Sequence, residues 1–291
     1  MTTRTKTSPE ERRAQAEALH ENIAAQVEAL RGTAQWERFL QFAGAFHAYS
    51  LNNVLLILRQ RPDATRVAGF RKWQQLGRQV RKGEHAIRIF GYSTKKTTEE
   101  DDNGDDVEKI TRRFPILSVF DISQTDLIDG EADPTTITQQ LTGLDDHGVI
   151  ETLTEYLAAE GWDVQRKPLA GQVNGYAQPD TRTVAVREGL APEHAAKTLI
   201  HETAHIELRH VDDLEDYAAH RGLNETEAES VAYVIAGLLG FDTSAYSIGY
   251  IAGWAEGDTD IIRSTASRVL KAVDQLADIL APAELDEPAE V

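Results

Sequence analysis

The chain of 291 residues contains no cysteine. That absence excludes disulfides, thiolate-bound zinc, iron–sulfur clusters and thiol catalysis, and it fits a reducing cytoplasm. No run approaches the roughly 18 apolar residues of a membrane span, so no membrane partner is expected. The start, Met1-Thr-Thr-Arg-Thr-Lys-Thr-Ser8, lacks the apolar stretch of a secretory signal. No internal repeat is visible. Basic residues are in deficit: 30 Lys+Arg stand against 48 Asp+Glu, a net charge of −18. As a total, that charge argues against a nucleic-acid partner. The hydrophobic share of 41% is enough for a real core and excludes wholesale disorder.

The deficit is local. Residues 1–98 hold 17 Lys+Arg and 8 Asp+Glu, whereas residues 99–291 hold 13 and 40. Residues 59–98 alone carry eleven basic groups against Asp63 and Glu84. Such asymmetry implies two modules with different partners.

Ser8-Pro9-Glu10-Glu11 reads as a helix start, ending at Arg31-Gly32. Trp36, Phe39, Leu40, Phe42, Phe46 and Tyr49 fall at helical spacing and read as core. A short helix over 52–58, a strand over 67–69, a short helix over 70–76 and strands over 85–92 and 114–122 follow. Seven carboxylates around Asn103-Gly104 make 99–108 an acidic, solvated hairpin or loop. Residues 130–145 read as a linker. The second module starts with a helix over 149–159, continues with strands over 162–165 and 173–186, and then alternates helices (192–210, 225–239, 258–280) with an acidic connection over 212–222. The Pro- and Glu-rich end, 281–291, reads as a disordered tail.

Chemistry concentrates at His201-Glu202-Thr203-Ala204-His205. On a helix, positions i and i+4 share a face, so both imidazoles can reach one ion, and the Glu between them can take a proton from metal-bound water. Catalytic zinc needs a third protein ligand. The next long helix offers Glu225-Thr226-Glu227-Ala228-Glu229, with Glu225 20 residues after His205. Glu229, one turn on, can accept from the second ring nitrogen of a ligating His, and Glu227 points elsewhere. Acidic residues at a helix start also have an electrostatic explanation in the helix dipole.

His201–His205 followed by Glu225-x-x-Ala228-Glu229-x-x-Ala232 resembles the zincin metallopeptidases of the Glu-ligand type, in particular the ImmA/IrrE-like and ArdC-like groups. The resemblance implies zinc held by His201, His205 and Glu225, with Glu229 in the outer shell and Glu202 as general base. Leu238-Leu239-Gly240-Phe241 stands where ImmA-type members often have a Leu-Leu-Met-Pro-like end. The stretches Glu229-Ser-Val-Ala-Tyr-Val, Gly240-Phe-Asp-Thr-Ser and Ile251-Ala-Gly-Trp254 are similar to the ArdC-like branch. Metal-assisted peptide hydrolysis is the implied chemistry. An additional donor for the oxyanion is expected among His210, His220, Tyr246 and Tyr250. His210 and His220 otherwise read as surface residues.

In the basic segment, Arg66, Arg71, Lys72, Arg78, Arg81, Lys82 and Arg88 interleave with Phe70, Trp73, Phe90 and Tyr92. Phosphate-neutralising cations beside aromatic platforms are what single-strand binders use. The bland reading puts the aromatics in the core and the charges on a solvated face. Ser50-Leu-Asn-Asn53-Val-Leu-Leu-Ile57, Ala68-Gly-Phe-Arg-Lys-Trp73-Gln, Leu76-Gly77-Arg78-Gln-Val80-Arg81-Lys82-Gly83-Glu84 and Val119-Phe-Asp-Ile-Ser-Gln124-Thr125 resemble the N-terminal single-stranded-DNA-binding domain of ArdC-type antirestriction proteins.

The expectation is therefore an α+β protein of two domains. A small α+β single-stranded-DNA-binding domain covers 1–129 (core 35–125), and a mainly helical zincin-like metallopeptidase domain covers 146–280. The cofactor expected is Zn2+, the partners single-stranded DNA and an unidentified protein or peptide, the compartment the cytoplasm and the setting a mobile element. The candidate DNA contacts are Arg66, Arg71, Lys72, Trp73, Arg78, Arg81, Lys82 and Arg88. Two alternatives stay open: an ImmA-like regulatory protease that cleaves a repressor, and a non-catalytic DNA-occluding protein with structural zinc.

Overall fold

The computed structural model describes residues 9–100, 106–128, 146, 148–241, 243 and 258–280. The expected linker, the tail, and the candidates Tyr246 and Tyr250 lie outside the described residues. The chain mixes helix and sheet. Contacts divide the described residues into two compact units, one of 9–26 and 52–128, the other of 27–51 with those from 146 to 280. Residues 27–51 thus group with the C-terminal half, although they were expected in the N-terminal domain. The reason is the aromatic stripe, described below.

In the first unit, α1 (Pro9–Ala29) contributes its first part, and α3 (Leu51–Gln60) is buried at Val54 to Leu58. A three-stranded antiparallel sheet has the order β1 (Val67–Gly69), β6 (Ile116–Asp121), β3 (Ile87–Phe90). Beside it, α4 (Phe70–Gln75) covers a small core of Ala68, Trp73 and Val80, with Leu76, Phe120 and Ile122 packed on it. β2 (Arg78–Val80) pairs antiparallel with β7 (Thr125–Leu127). β4 (Ser93–Glu100) and β5 (Asp106–Arg113) pair antiparallel, and residues 101–105 of the acidic insert lie outside the described residues.

Asp121 ties the sheet to the loops around it. One carboxylate oxygen accepts the Thr65 and Arg66 amides at 2.9 and 3.1 Å, and the other accepts the Ser123 amide at 2.9 Å. Gln124 completes a capping box by accepting the Asp121 amide, and its own amide donates to the His85 carbonyl. Burial alone would raise the Asp121 carboxyl, but these hydrogen bonds outweigh it and hold the group below its ordinary range.

In the second unit, α2 (Thr33–Phe46) buries Trp36, Phe39, Leu40, Phe42, Ala43 and Phe46 against α8 (Arg221–Leu238). The Trp36 indole donates to Ser230 Oγ at 3.1 Å, which satisfies the one polar atom this apolar stripe carries inward. The core reading of these aromatics agrees with their burial. A three-stranded sheet has the order β8 (Asp163–Lys167), β10 (Thr183–Arg187), β9 (Gly175–Gln178), with β10 parallel to β8 and antiparallel to β9. α5 (Val149–Ala159) packs on β8, and α6 (Pro192–Glu207) packs on β9, β10 and α8. The final α9 (Thr259–Leu280) packs on α5 and α8.

The acidic connection between α6 and α8 holds a short helix of its own, α7 (Leu214–Ala219), capped by Asp213. α8 begins at Arg221, four residues earlier than its apolar pattern suggested. Glu225, Glu227 and Glu229 therefore lie beyond the first turn, and the helix-dipole explanation for them does not apply. Among the described residues, no helix is long and apolar enough to cross a membrane.

Candidate metal centre

α6 is built to hold its motif rigidly. Pro192 supplies the fixed φ of the first helical position and Glu193 sits in the first turn, where the dipole favours it. Ala195, Ala196, Leu199, Ile200, Thr203 and Ala204 are buried, leaving His201 and His205 on the face toward α8. β9 lies close against this helix. A Cβ on Gly175 would come within 2.5 Å of Thr198 Cγ2 and 3.1 Å of the Ala185 carbonyl, so glycine lets the strand approach.

His201 Nε2 and His205 Nε2 are 3.1 Å apart, and Glu225 Oε2 is 3.6 Å from the first and 3.8 Å from the second. A tetrahedral ion with bonds of about 2.0–2.1 Å separates its ligand atoms by about 3.3 Å. The triangle is of that size, and the set is one that could hold a metal ion. Charge supports the fit. Burial would lower the His201 imidazole, but hydrogen bonds to Glu225 and Glu229 push it up to about 10. Hydrogen bonds with His201 and His205 hold Glu225 far below the usual carboxylate range. Groups arranged this way favour a cation among them.

The surrounding groups orient the three. Glu229 Oε2 is 3.2 Å from His201 Nδ1. The Tyr217 hydroxyl of α7 donates to Glu225 Oε1, leaving Oε2 toward the histidines. Tyr217 was missed because its segment read only as acidic. His210 corrects an expectation: it is buried, with 4% of its surface exposed, and lies 3.0 Å from His205 and 2.9 Å from Glu227. Glu227 does point away from the triad, but into the protein rather than to solvent, where it also meets Arg268 at 3.2 Å. His220 is exposed and pairs with Asp216 at 3.0 Å.

Glu202 is 8% exposed, and the Ala177 amide donates to its carboxylate. Burial pushes its carboxyl up to about 7; the His201 charge opposes this and the Glu225 charge adds to it. A cleft of about 550 Å3 opens beside Glu202 and His201, between Val173–Gly175 of the β9 edge and Glu193, Lys197 and Thr198 of α6.

The candidate DNA contacts fare differently. Trp73 is fully buried and donates to the Phe120 carbonyl at 2.8 Å, so it cannot stack on a base. Arg78 is buried, with its Nε donating to Thr125 Oγ1 at 2.7 Å. Arg81 braces Glu84 at 2.9 Å and Asp126 at 3.3 Å. These three are structural: Trp73 is bonded to β6, and Arg78 and Arg81 donate to groups of residues 123–126 at the β2–β7 pairing. Arg66, Arg71, Lys82 and Arg88 are exposed, Arg88 also donating to Ser118, and Lys72 is half-buried. Among the described residues the exposed aromatics are Phe70, Tyr92 and Phe114, the last two with ring centroids 5.8 Å apart. Phe114 was passed over as part of an apolar strand.

Residues 13–121 match the family described as the N-terminal domain of anti-restriction factor ArdC. Over those residues the chain is similar to the N-terminal domain of ArdC. An uncharacterized protein of Bacillus anthracis is 27% identical over 280 residues, 80% of this chain and 47% of that protein. The chain thus spans about half the length of the curated relative it matches. Two crystal structures of the antirestriction ArdC protein from the R388 plasmid are each 19% identical to it. The metal-free one has a TM-score of 0.45 and covers 79% of this chain and 84% of its own. The Mn(II)-bound one has a TM-score of 0.43 and covers 84% and 99%.

Proposed function

We propose that this ArdC-like chain is a metal-dependent peptide hydrolase of antirestriction type that also binds single-stranded DNA. The observation that carries the hydrolytic part is the placing of Glu202 at an open cleft beside the convergent His201, His205 and Glu225. These three would hold a divalent ion, zinc by their donor chemistry. A bound ion supplies Lewis acidity and lowers the pKa of water toward about 7. Glu202, with a carboxyl near neutrality, is suited to take a proton and return it to a leaving amine. β9 is an edge strand with Gly175 on the cleft, so an extended peptide can pair with it and bring a carbonyl to the site. Tyr217, whose hydroxyl donates to Glu225, is a further hydroxyl beside the triad among the described residues.

A structural metal alone is less well supported, because such sites are closed and this one faces a cleft. The test is Glu202→Gln. Full metal content with peptide hydrolysis reduced by about 100-fold or more is the expected result. Unchanged hydrolysis would contradict the role of Glu202.

Single-stranded DNA binding is assigned to the first unit, supported by the exposed Arg71 and Lys82 and the exposed rings of Phe70, Tyr92 and Phe114. The cysteine-free composition suits work in a reducing cytoplasm. The antirestriction role rests on likeness to the ArdC family over residues 13–121. It is tested by protection of incoming unmodified DNA in cells that carry the gene.

A further inference from the structure

His201 has a carboxylate directly behind it; His205 does not. What stands behind His205 is a second imidazole. The last turn of α6 explains how it gets there. The Arg209 amide bonds to the Ile206 carbonyl and the His210 amide to the His205 carbonyl, both at 2.9 Å, and Arg209 has φ of +60°. This is a helix stop of the left-handed kind, here made with arginine instead of glycine. It turns the chain back, so that His210 Nδ1 lies 3.0 Å from His205 Nδ1.

The proton placement follows from the far end. Glu227 is 1% exposed, and its carboxylate can only accept. His210 Nε2, 2.9 Å from Glu227 Oε2, must therefore carry a hydrogen. In the neutral ring that leaves Nδ1 of His210 as an acceptor, and the hydrogen between the two rings belongs to His205 Nδ1. His205 Nε2 is then a bare lone pair on the side of His201 and Glu225. Arg268, 3.2 Å from Glu227, supplies the charge that a buried carboxylate needs.

We propose that His210, anchored by Glu227 and Arg268, is a positioning residue that fixes His205 as its Nδ1–H tautomer and keeps Nε2 free to ligate. The proposal rests on the metal-site reading above. It makes the two histidines unequal: one is oriented by a carboxylate, the other by a carboxylate acting through an imidazole. Outer partners of ligating histidines commonly change metal affinity by about 10–100-fold.

The test uses the full chain and two readouts. Ring 15N shifts of the metal-free protein should show hydrogen on Nδ1 of His205 and on Nε2, but not Nδ1, of His210. Hydrogen on His205 Nε2, or on His210 Nδ1, overturns the proposal whether or not the chain binds metal. In the second readout, zinc affinity is measured by chelator competition for wild type and His210→Phe, which keeps a ring but no acceptor. A loss of about 10-fold or more is expected; an unchanged affinity overturns the proposal. Failure of wild type to bind zinc would instead overturn the metal-site reading, and the tautomer readout would still decide the role of His210. If His210→Phe does not fold, the wild-type tautomers decide alone.

Discussion

Between α6 and α8, nearly every polar side chain faces another one: His201 meets Glu229, His205 meets His210, and Glu225 meets Tyr217. Between Arg59 and Arg88 the polar groups are as dense, yet they do not converge. Arg78 and Arg81 are bonded to Thr125 at the β2–β7 pairing, while Arg71 and Lys82 face water. The contrast shows what each kind of sequence signal carries. A candidate metal-ligand set is a statement about spacing on a helix, and that spacing survives folding. A surplus of charge says nothing about which cations the fold consumes.

Substitutions sharpen the contrast, the strongest first. Trp73→Ala should lower stability by about 3–5 kcal/mol in denaturant unfolding, as loss of a buried ring does, while the fraction that remains folded binds DNA as before. Weak destabilisation with strong loss of binding would return Trp73 to the interface.

Asp121→Asn should lower stability by about 2 kcal/mol at neutral pH, because its hydrogen bonds are made to a charged acceptor. Its folded pKa is depressed, so the contribution is complete above the unfolded value of about 3.9 and disappears as pH falls through the folded value. The gap between wild type and Asp121→Asn should therefore close below about pH 4. A gap independent of pH would contradict the account.

Arg209→Gly should raise stability by about 1 kcal/mol, since glycine adopts positive φ without the cost of a Cβ. The smallest effect is on DNA. Arg71→Gln with Lys82→Gln should reduce the salt dependence of single-strand binding by about 0.7 in log–log slope for each lost phosphate contact. Arg78→Gln should leave that slope unchanged. The reverse pattern would mean that the cations were sorted wrongly.

Much of the second unit was legible in the sequence. The i, i+4 histidines and the carboxylates four residues apart needed only helices to become a site. What was not legible depended on single backbone choices. His210 read as exposed because nothing in Leu208-Arg209-His210 signals a left-handed residue; arginine stands where glycine would have announced the stop. Tyr217 was hidden in an acidic stretch that folds into a short helix. Residues 27–51 grouped with the C-terminal half because the aromatic stripe of α2 packs on α8, and a stripe does not name its partner. In the first unit, Trp73 and Arg78 were overread because composition cannot tell a buried tryptophan or a bonded guanidinium from a free one.

The central claim, that His201, His205 and Glu225 form a metal centre, is tested most directly by elemental analysis of purified protein. After dialysis, wild type should hold about one divalent ion per chain and His205→Ala essentially none, with both folded to the same extent. Less than about half an equivalent in wild type, or equal content in both proteins, would contradict it.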